Sequence, residues 1–304
     1  DQLIKVLRIC LLTFLQEQGI APCLIDSLEA YKAAYPWSNQ DRPLLAPGFQ
    51  YYGKEIWEQA LGALLAGENL LLVGAKATGK NVLAENLAYC FGRGDWNVSF
   101  HVNMDAAMML GSDTFRDGQV QFRPGPVYEC ASQGGFCILD EINMARNEAL
   151  AALHSMLDFR RILDIPGYGR LKMHPATRFI ATMNYGYAGT RELNEALASR
   201  FAVIALPPAN EHMLANLLEK QYGHLSDKIR SSVIALFMDL QLKYQQGEIS
   251  SKAVDLRGLL GALGIYQQGL GLRSALQMGL VNKVFNEDER QIIQDLLDLR
   301  IGKD

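Results

Sequence analysis

The chain has 304 residues, 49% apolar and 20% charged, which is enough to bury a full core and excludes wholesale disorder. Its 29 lysines and arginines against 33 aspartates and glutamates leave a net charge of −4, which argues against nucleic acid held on a basic face. Five cysteines (Cys10, Cys23, Cys90, Cys130, Cys137) form an odd set with no CxxC pair, so reduced thiols are expected rather than a zinc ribbon or disulfide scaffold.

In chain order, residues 1–35 read as helix, with Leu3, Ile4, Leu7, Ile9, Leu11, Leu12 and Leu15 at helical spacing, interrupted by Gly19, Pro22 and Pro36. The polar, proline-bearing stretch Trp37–Pro47 suits a linker or an arm lying over a neighbouring surface, and residues 1–46 are expected to form a helical extension and linker. From Gly53 the pattern becomes helix, then a short apolar strand at Asn69–Val73, then a glycine-rich turn, then helix again. Further strands are expected at Trp96–Val102, Gly135–Asp140, Arg178–Asn184 and Ala202–Leu206, with helical patterns between them. Such alternation predicts an α/β fold, a parallel sheet sandwiched by helices, over residues 47–208. After Pro207 and Pro208 the strands stop, and residues 209–304 carry only helical periodicity, as in Ile229–Tyr244 and Gln291–Leu299, so an all-helical domain follows. The longest apolar run, Leu61–Gly74, is broken by Glu68 and Asn69, so no membrane span is expected, and with no secretory signal a cytoplasmic protein is. Because the chain starts at Asp1 rather than Met, an upstream native N-terminus is left as an expectation.

The strongest single signal is Gly74, Ala75, Lys76, Ala77, Thr78, Gly79, Lys80, Asn81, running on into Val82, between the apolar strand and the helix. A phosphate requires close backbone approach, several N–H donors on one side and a positive helix end. Gly74 and Gly79 permit that loop, and Lys80 can reach the β- and γ-phosphates. Asn81 stands where a Ser or Thr hydroxyl usually touches Mg²⁺; its amide oxygen could still ligate a hard cation or hold its water.

Some sixty residues on, Phe136–Asn143 (FCILDEIN) is an apolar strand ending in two carboxylates. Ligands of parallel sheets sit at the carboxyl ends of strands, so Asp140 is expected near Lys80 and the metal, with Glu141 polarising the attacking water. The alternative is that both acids cap a following helix. The strand Phe179–Met183 runs into Asn184, a neutral donor suited to positioning water or the γ-phosphate. Arg200, just before the next strand, suits a finger onto a neighbouring subunit's nucleotide, whereas Arg191 fits a plain salt bridge better.

With these residues together the chain resembles an AAA+ ATPase of the MoxR-like branch of the helix-2-insert clade, related to the CbbQ/NorQ and chelatase ATPase subunits. The likeness is carried by GAKATGKN at 74–81, FRPGPVYEC at Phe122–Cys130, FCILDEIN at Phe136–Asn143, ATMN ending at Asn184, and EALASRF at Glu195–Phe201, and it covers residues 50–207. It implies a P-loop NTPase core with a helical lid, ATP and Mg²⁺ as ligands, and self-association into a ring, usually a hexamer, with ATP between subunits. By the resemblance Lys80 is the Walker A lysine, Asp140 and Glu141 the Walker B pair, Asn184 sensor 1 and Arg200 the arginine finger, with Asn81 and Asp140 at the metal. Sensor 2 should be an arginine early in a lid helix; Arg257 is favoured over Lys252, whose ammonium cannot fork onto a phosphate as a guanidinium does. Proteins of this branch act on client proteins, often with a partner bearing a von Willebrand factor A domain, in remodelling or in metal or cofactor insertion.

Two hairpins are expected as insertions. Residues 113–123 alternate around Asp117-Gly118, a strong turn signal, and residues 160–174 flank a Pro-Gly-Tyr-Gly turn. Phe115, Val120 and Tyr168 are candidate substrate contacts, while Phe115 and Val120 could instead pack the hairpin's inner face. His101, His154, His174, His212 and His224 show no metal-ligand spacing. Two competing readings stand beside the remodelling ATPase: a nucleotide-gated scaffold slowed by Asn81, and a nucleic-acid motor of the same superfamily.

Overall fold

The computed structural model describes residues 12–165, 167–184 and 193–302. The helical residues expected before position 12, and Arg191, lie outside the described residues. Packing divides the described chain into two compact units, one of residues 12–74 and 79–206, the other of residues 75–78 and 207–302.

The first unit opens with α1 (residues 12–17) and α2 (Pro22–Ala34). The helical stretch breaks at Gly19 and Pro22, the interruptions expected from the sequence: Gly19 takes a left-handed φ of 72°, and Pro22, whose fixed φ suits a first turn, starts the second helix. Then follow α3 (Lys54–Ala66), β1 (Leu70–Gly74), α4 (Lys80–Cys90) and β2 (Asp95–Ser99). A short α5 (Ala106–Leu110) leads into the hairpin β3 (Gly111–Arg116) and β4 (Gln119–Pro124), closed by Asp117 and Gly118 at φ 52° and 77°, as a tight hairpin turn requires. Next come α6 (Pro126–Gln133), β5 (Phe136–Asp140), the short helices α7 (Asn147–Leu150) and α8 (His154–Leu157), and a second hairpin, β6 (Ile162–Ile165) with β7 (Gly169–Lys172). The unit ends with β8 (Arg178–Asn184), α9 (Glu195–Ala198) and β9 (Ala202–Ala205).

Five of these strands form one parallel sheet in the order β2-β5-β8-β1-β9. Residues Phe136–Leu139 of β5 and Arg178–Ala181 of β8 are all buried, the near-continuous burial a central parallel strand shows when helices cover both faces. Register fixes the next step. Gly74 pairs with Asn184, Ser99 with Asp140, and Leu139 with Ala181, so the last residues of β1, β5 and β8 share one edge. The proline-bearing arm after α2 lies on this unit's own surface. Trp37 donates its ring N–H to Arg42 O (2.8 Å), stands edge-on to Trp96, and carries the Arg93 guanidinium 4.5 Å above its ring.

The second unit contains α10 (Glu211–Gln221), α11 (Asp227–Gln245), α12 (Leu256–Gln267), α13 (Leu272–Gly279) and α14 (Glu287–Ile301). Asn210, Ser226 and Asn286 accept backbone N–H bonds from the first turns of α10, α11 and α14, as good N-caps do. Its core gathers Leu214, Val233, Phe237, Leu259, Leu276 and Ile293. A Cβ on Gly258 would meet Gly279 O at 2.2 Å, so α12 and α13 approach backbone to backbone and only glycine fits there. Among the described residues no helix is long and apolar enough to cross a membrane.

Candidate functional site

The glycine-rich turn leaves β1 at Gly74 and enters α4 at Lys80. Ala77 and Gly79 both take left-handed φ values, 64° and 84°. Ala77 does so against the Cβ penalty, which marks a loop held in one shape by its surroundings. Thr78 Oγ1 donates to Ala75 O (3.1 Å), and the Lys80 ammonium, in a residue only 6% exposed, donates to Gly74 O (3.0 Å). The loop is braced from behind by Tyr51: a Cβ on Gly79 would press its ring at 3.2 Å, a tight contact added to the strain of a left-handed φ. Burial pushes the Tyr51 hydroxyl up to about pKa 12, leaving it a neutral packing group. Asn86 anchors that segment by accepting from Tyr51 N and donating to Phe49 O.

At the tip of β5, Asp140 and Glu141 are tied to β8. Thr182 Oγ1 donates to Asp140 Oδ1 (2.6 Å) and accepts the Glu141 backbone N–H (3.0 Å). Asn184 Nδ2 donates to Glu141 Oε1 (2.8 Å), and Asn143 Nδ2 donates to Asn184 O (3.2 Å). Glu141 itself sits at φ 54°, a conformation that costs a non-glycine residue on the order of 1 kcal/mol. Its carboxylate therefore leaves the strand direction and turns onto Asn184. Helix capping does not account for the two acids: neither side chain accepts a capping bond in the short helical turn that follows.

Asp140, Asn184 and Gly74 end neighbouring strands β5, β8 and β1, about 5 Å apart per step, so the carboxylate pair and the Lys80 contact on Gly74 share one edge. Arg200 lies just before β9. Its Nη1 donates to Ala196 O, its Nε is buried without an acceptor, and among the described residues no carboxylate pairs with it. Burial, with the Arg200 charge second, lowers the pKa of His154. In the second unit, Arg257 is exposed in the first turn of α12, and Lys252 is exposed in the turn before it.

A family model described as AAA domain (dynein-related subfamily) matches residues 69–201, from the start of β1 to the end of the Arg200 segment. The chain is also similar over most of its length to the uncharacterized protein YojN of Bacillus subtilis, at 30% identity over 292 residues covering 94% of this chain and 95% of that one. The uncharacterized proteins SSP1341 of Staphylococcus saprophyticus and SH1500 of Staphylococcus haemolyticus are 33% and 31% identical, covering 80% and 81% of this chain and 95% of each relative. The chain belongs to the AAA domain family, dynein-related subfamily.

As an AAA domain it is a nucleotide-binding ATPase of the P-loop class, and its donor set can be tested against the divalent cation such domains carry. Mg²⁺ prefers one or two protein oxygens plus phosphates and waters to a dedicated cage. Among the described residues no cluster of three or more His, Cys, Asp or Glu forms a cage, while Asp140 offers a carboxylate at the strand edge and Asn81 an amide oxygen in the first turn of α4. These residues fit.

Sequence reasoning missed two groups in this chain. Thr182 is fully buried and joins both acids to β8; its signal was a hydroxyl inside the apolar strand RFIATMN. The other group lies in the second unit, where residues 75–78 together with Phe237, Gln241, Tyr244 and Val254 line a cavity of about 80 Å³. Phe237, Gln241 and Tyr244 share one face of α11 at i, i+4 and i+7, so the signal was a glutamine within an apolar stripe.

The hairpins correct one expectation. Phe115 and Val120 do not pack an inner face: they are 75% and 62% exposed. Phe122 packs instead, edge-on to Tyr128 and tilted on Tyr168, whose hydroxyl donates to Asp113 Oδ1 (2.6 Å) and so ties one hairpin to the other.

Proposed function

We propose that this protein is an ATP-hydrolysing AAA+ ring ATPase of the MoxR-like branch, built as a core at 47–208 with a lid at 209–304 and an extension at 1–46, which remodels a client protein in the cytoplasm. The observation that carries the reading is the bond from Asn184 to Glu141 beside the phosphate-type loop, because hydrolysis needs a positioned carboxylate where the γ-phosphate ends. In this account the backbone of Gly74–Val82 cradles the triphosphate and Lys80 balances its charge. Asn81 and Asp140 hold Mg²⁺, which supplies further charge compensation when bound. Glu141 orients the attacking water and takes its proton as the water oxygen bonds to the γ-phosphorus and the bond to the β,γ-bridging oxygen breaks, releasing ADP and phosphate. Asn184 fixes Glu141, and Arg257 meets the phosphates from the lid.

Arg200 acts on the nucleotide of a neighbouring subunit. A buried Nε without an acceptor, and a head that no carboxylate pairs with among the described residues, suit a group completed by another chain. The exposed Phe115 and Val120 of the tied hairpins are the client contacts, and a partner with a von Willebrand factor A domain presents the client.

Native mass spectrometry with Mg·ATP tests the assembly, using Glu141→Gln to hold the nucleotide; a ring, expected as a hexamer, should appear only with ATP. Arg200→Ala should lower phosphate release, and mixing it with Lys80→Ala should restore part of it through hybrid interfaces. A monomer under all conditions, with no rescue on mixing, overturns the shared site.

A further inference from the structure

The nucleotide reading uses the carboxyl-terminal edge of the sheet. The opposite edge holds a different constellation. Arg93, Gly134 and His174 precede β2, β5 and β8 in the chain, so they lie at the amino-terminal ends of those strands. Strands of five to seven residues at about 3.3 Å each set this edge roughly 15–20 Å from Asp140 and Asn184. There Tyr35, Trp37, Ser38 and Asn39 of the arm, together with Arg93, Gln133 and His174, border a cavity of about 280 Å³, the liquid volume of roughly nine waters.

Its polar groups are donors. Arg93 is 3% exposed, and its guanidinium gives Nε to Gly134 O (2.6 Å), Nη1 to Tyr35 O (2.8 Å) and Nη2 to Gln133 O (3.2 Å). A guanidinium has five N–H groups, so two remain. The three carbonyls belong to the C-terminal ends of α2 and α6, which carry only about half a negative charge each. Among the described residues no carboxylate pairs with Arg93. The acid one turn earlier on α6, Glu129, is engaged by the Trp96 ring N–H (3.0 Å) and Arg42 (3.9 Å).

The other groups point the same way. Gln133 Oε1 accepts from Asn39 Nδ2 (2.5 Å), which leaves the Gln133 amide nitrogen as a donor. His174 Nδ1 accepts the Ala176 N–H (3.1 Å), which places the ring proton on Nε2. Arg161 and Arg178 stand close by and donate to main-chain carbonyls, Arg161 to His174 O and Thr177 O, Arg178 to Leu64 O, Pro175 O and Thr177 O, and among the described residues no carboxylate pairs with either. Three guanidiniums with no carboxylate partner among the described residues, Arg93 and Arg178 buried, leave a net positive field at a cavity walled by N–H donors. Charge buried in this way is stabilised by an anion.

We infer that this cavity is a binding site for a small oxyanion, a phosphate or carboxylate group, separate from the nucleotide site. Arg93 forms its charged floor; Gln133 and Ser38 form its exposed rim.

The test uses the full chain carrying Lys80→Ala, so that the phosphate-type loop does not compete, and titrates inorganic phosphate and, separately, citrate by calorimetry. Gln133→Glu is the decisive variant. It keeps the acceptor for Asn39 and sits on the surface, so folding is preserved, but it replaces the outward N–H₂ with a carboxylate. Saturable binding of either anion, weakened tenfold or more by Gln133→Glu, is expected; a response to phosphate alone assigns a phosphoryl ligand and to citrate alone a carboxylate. Binding of neither anion, or binding unchanged by Gln133→Glu, overturns the inference and leaves the nucleotide reading untouched, since no adenine nucleotide enters the experiment.

Discussion

Asn184 Nδ2 lies 2.8 Å from Glu141 Oε1, joining the tips of β8 and β5. The contact depends on Glu141 turning out of its strand at φ 54°, so strain in the main chain aims the carboxylate and the amide holds it there. Removing the charge while keeping the shape isolates the chemistry. Glu141→Gln should lower phosphate release by about 10²-fold or more, within the usual contribution of a general base, with ATP binding retained. Asn184→Ala, which removes only the positioning bond, should cost about tenfold. A Glu141→Gln protein that hydrolyses at the parent rate would show that the carboxylate has another task.

Thr182 carries two bonds at once, to Asp140 and to the Glu141 N–H, at full burial. Thr182→Val conserves volume and leaves both groups without their partner, so unfolding free energy should fall by about 1–3 kcal/mol. Phosphate release should fall with it, and Thr182→Ser should recover both. Equal loss in the Ser variant would point to packing of the methyl group rather than to the hydroxyl.

The hairpin residues divide by exposure. Phe115→Asp should leave the thermal midpoint unchanged, since a 75% exposed side chain gives up little contact. Phe122→Ala should lower it, because that ring packs on Tyr128 and Tyr168. Thermal unfolding of the two variants side by side decides; a larger loss for Phe115→Asp would contradict the hairpin packing.

His154 and His174 both sit below their ordinary pKa, through burial first and then through Arg200 and Arg93 respectively. Unfolded, each protonates near pH 6.5. Between that value and the lower folded value the unfolded chain binds more protons, so stability rises with pH there. Their contribution is therefore full above about pH 6.5 and is lost progressively as pH falls below it. Thermal midpoints should drop from about pH 7.5 to about pH 5.5, and His154→Gln with His174→Gln should flatten that part of the profile. An unchanged slope in the double variant would assign the drop to other groups.

Much of this molecule is legible in its sequence because its signals are local. An apolar strand, a glycine turn at 74–79 and a following helix need only neighbouring residues, and β8 runs from Arg178 to Asn184, the bounds expected for that buried strand. The helix break was legible too: Gly19 and Pro22 split the apolar stripe where a glycine and a proline stand in the sequence, since backbone conformation overrides periodicity there. Thr182 and Gln241 were missed because their roles come from strand register and helix facing, which join residues far apart in the chain. Arg93 was missed for the same reason. Its three acceptors come from residues 35, 133 and 134, and only the folded chain brings them together.

The measurement that bears most directly on the whole account is a calorimetric titration of Mg·ATP into the Glu141→Gln chain and into the same chain carrying Lys80→Ala. The account predicts saturable uptake by the first and its loss, or a weakening of at least about tenfold, in the second, because the ammonium balancing the triphosphate is gone. Folded Glu141→Gln protein that takes up no ATP, or equal uptake by both chains, would contradict it.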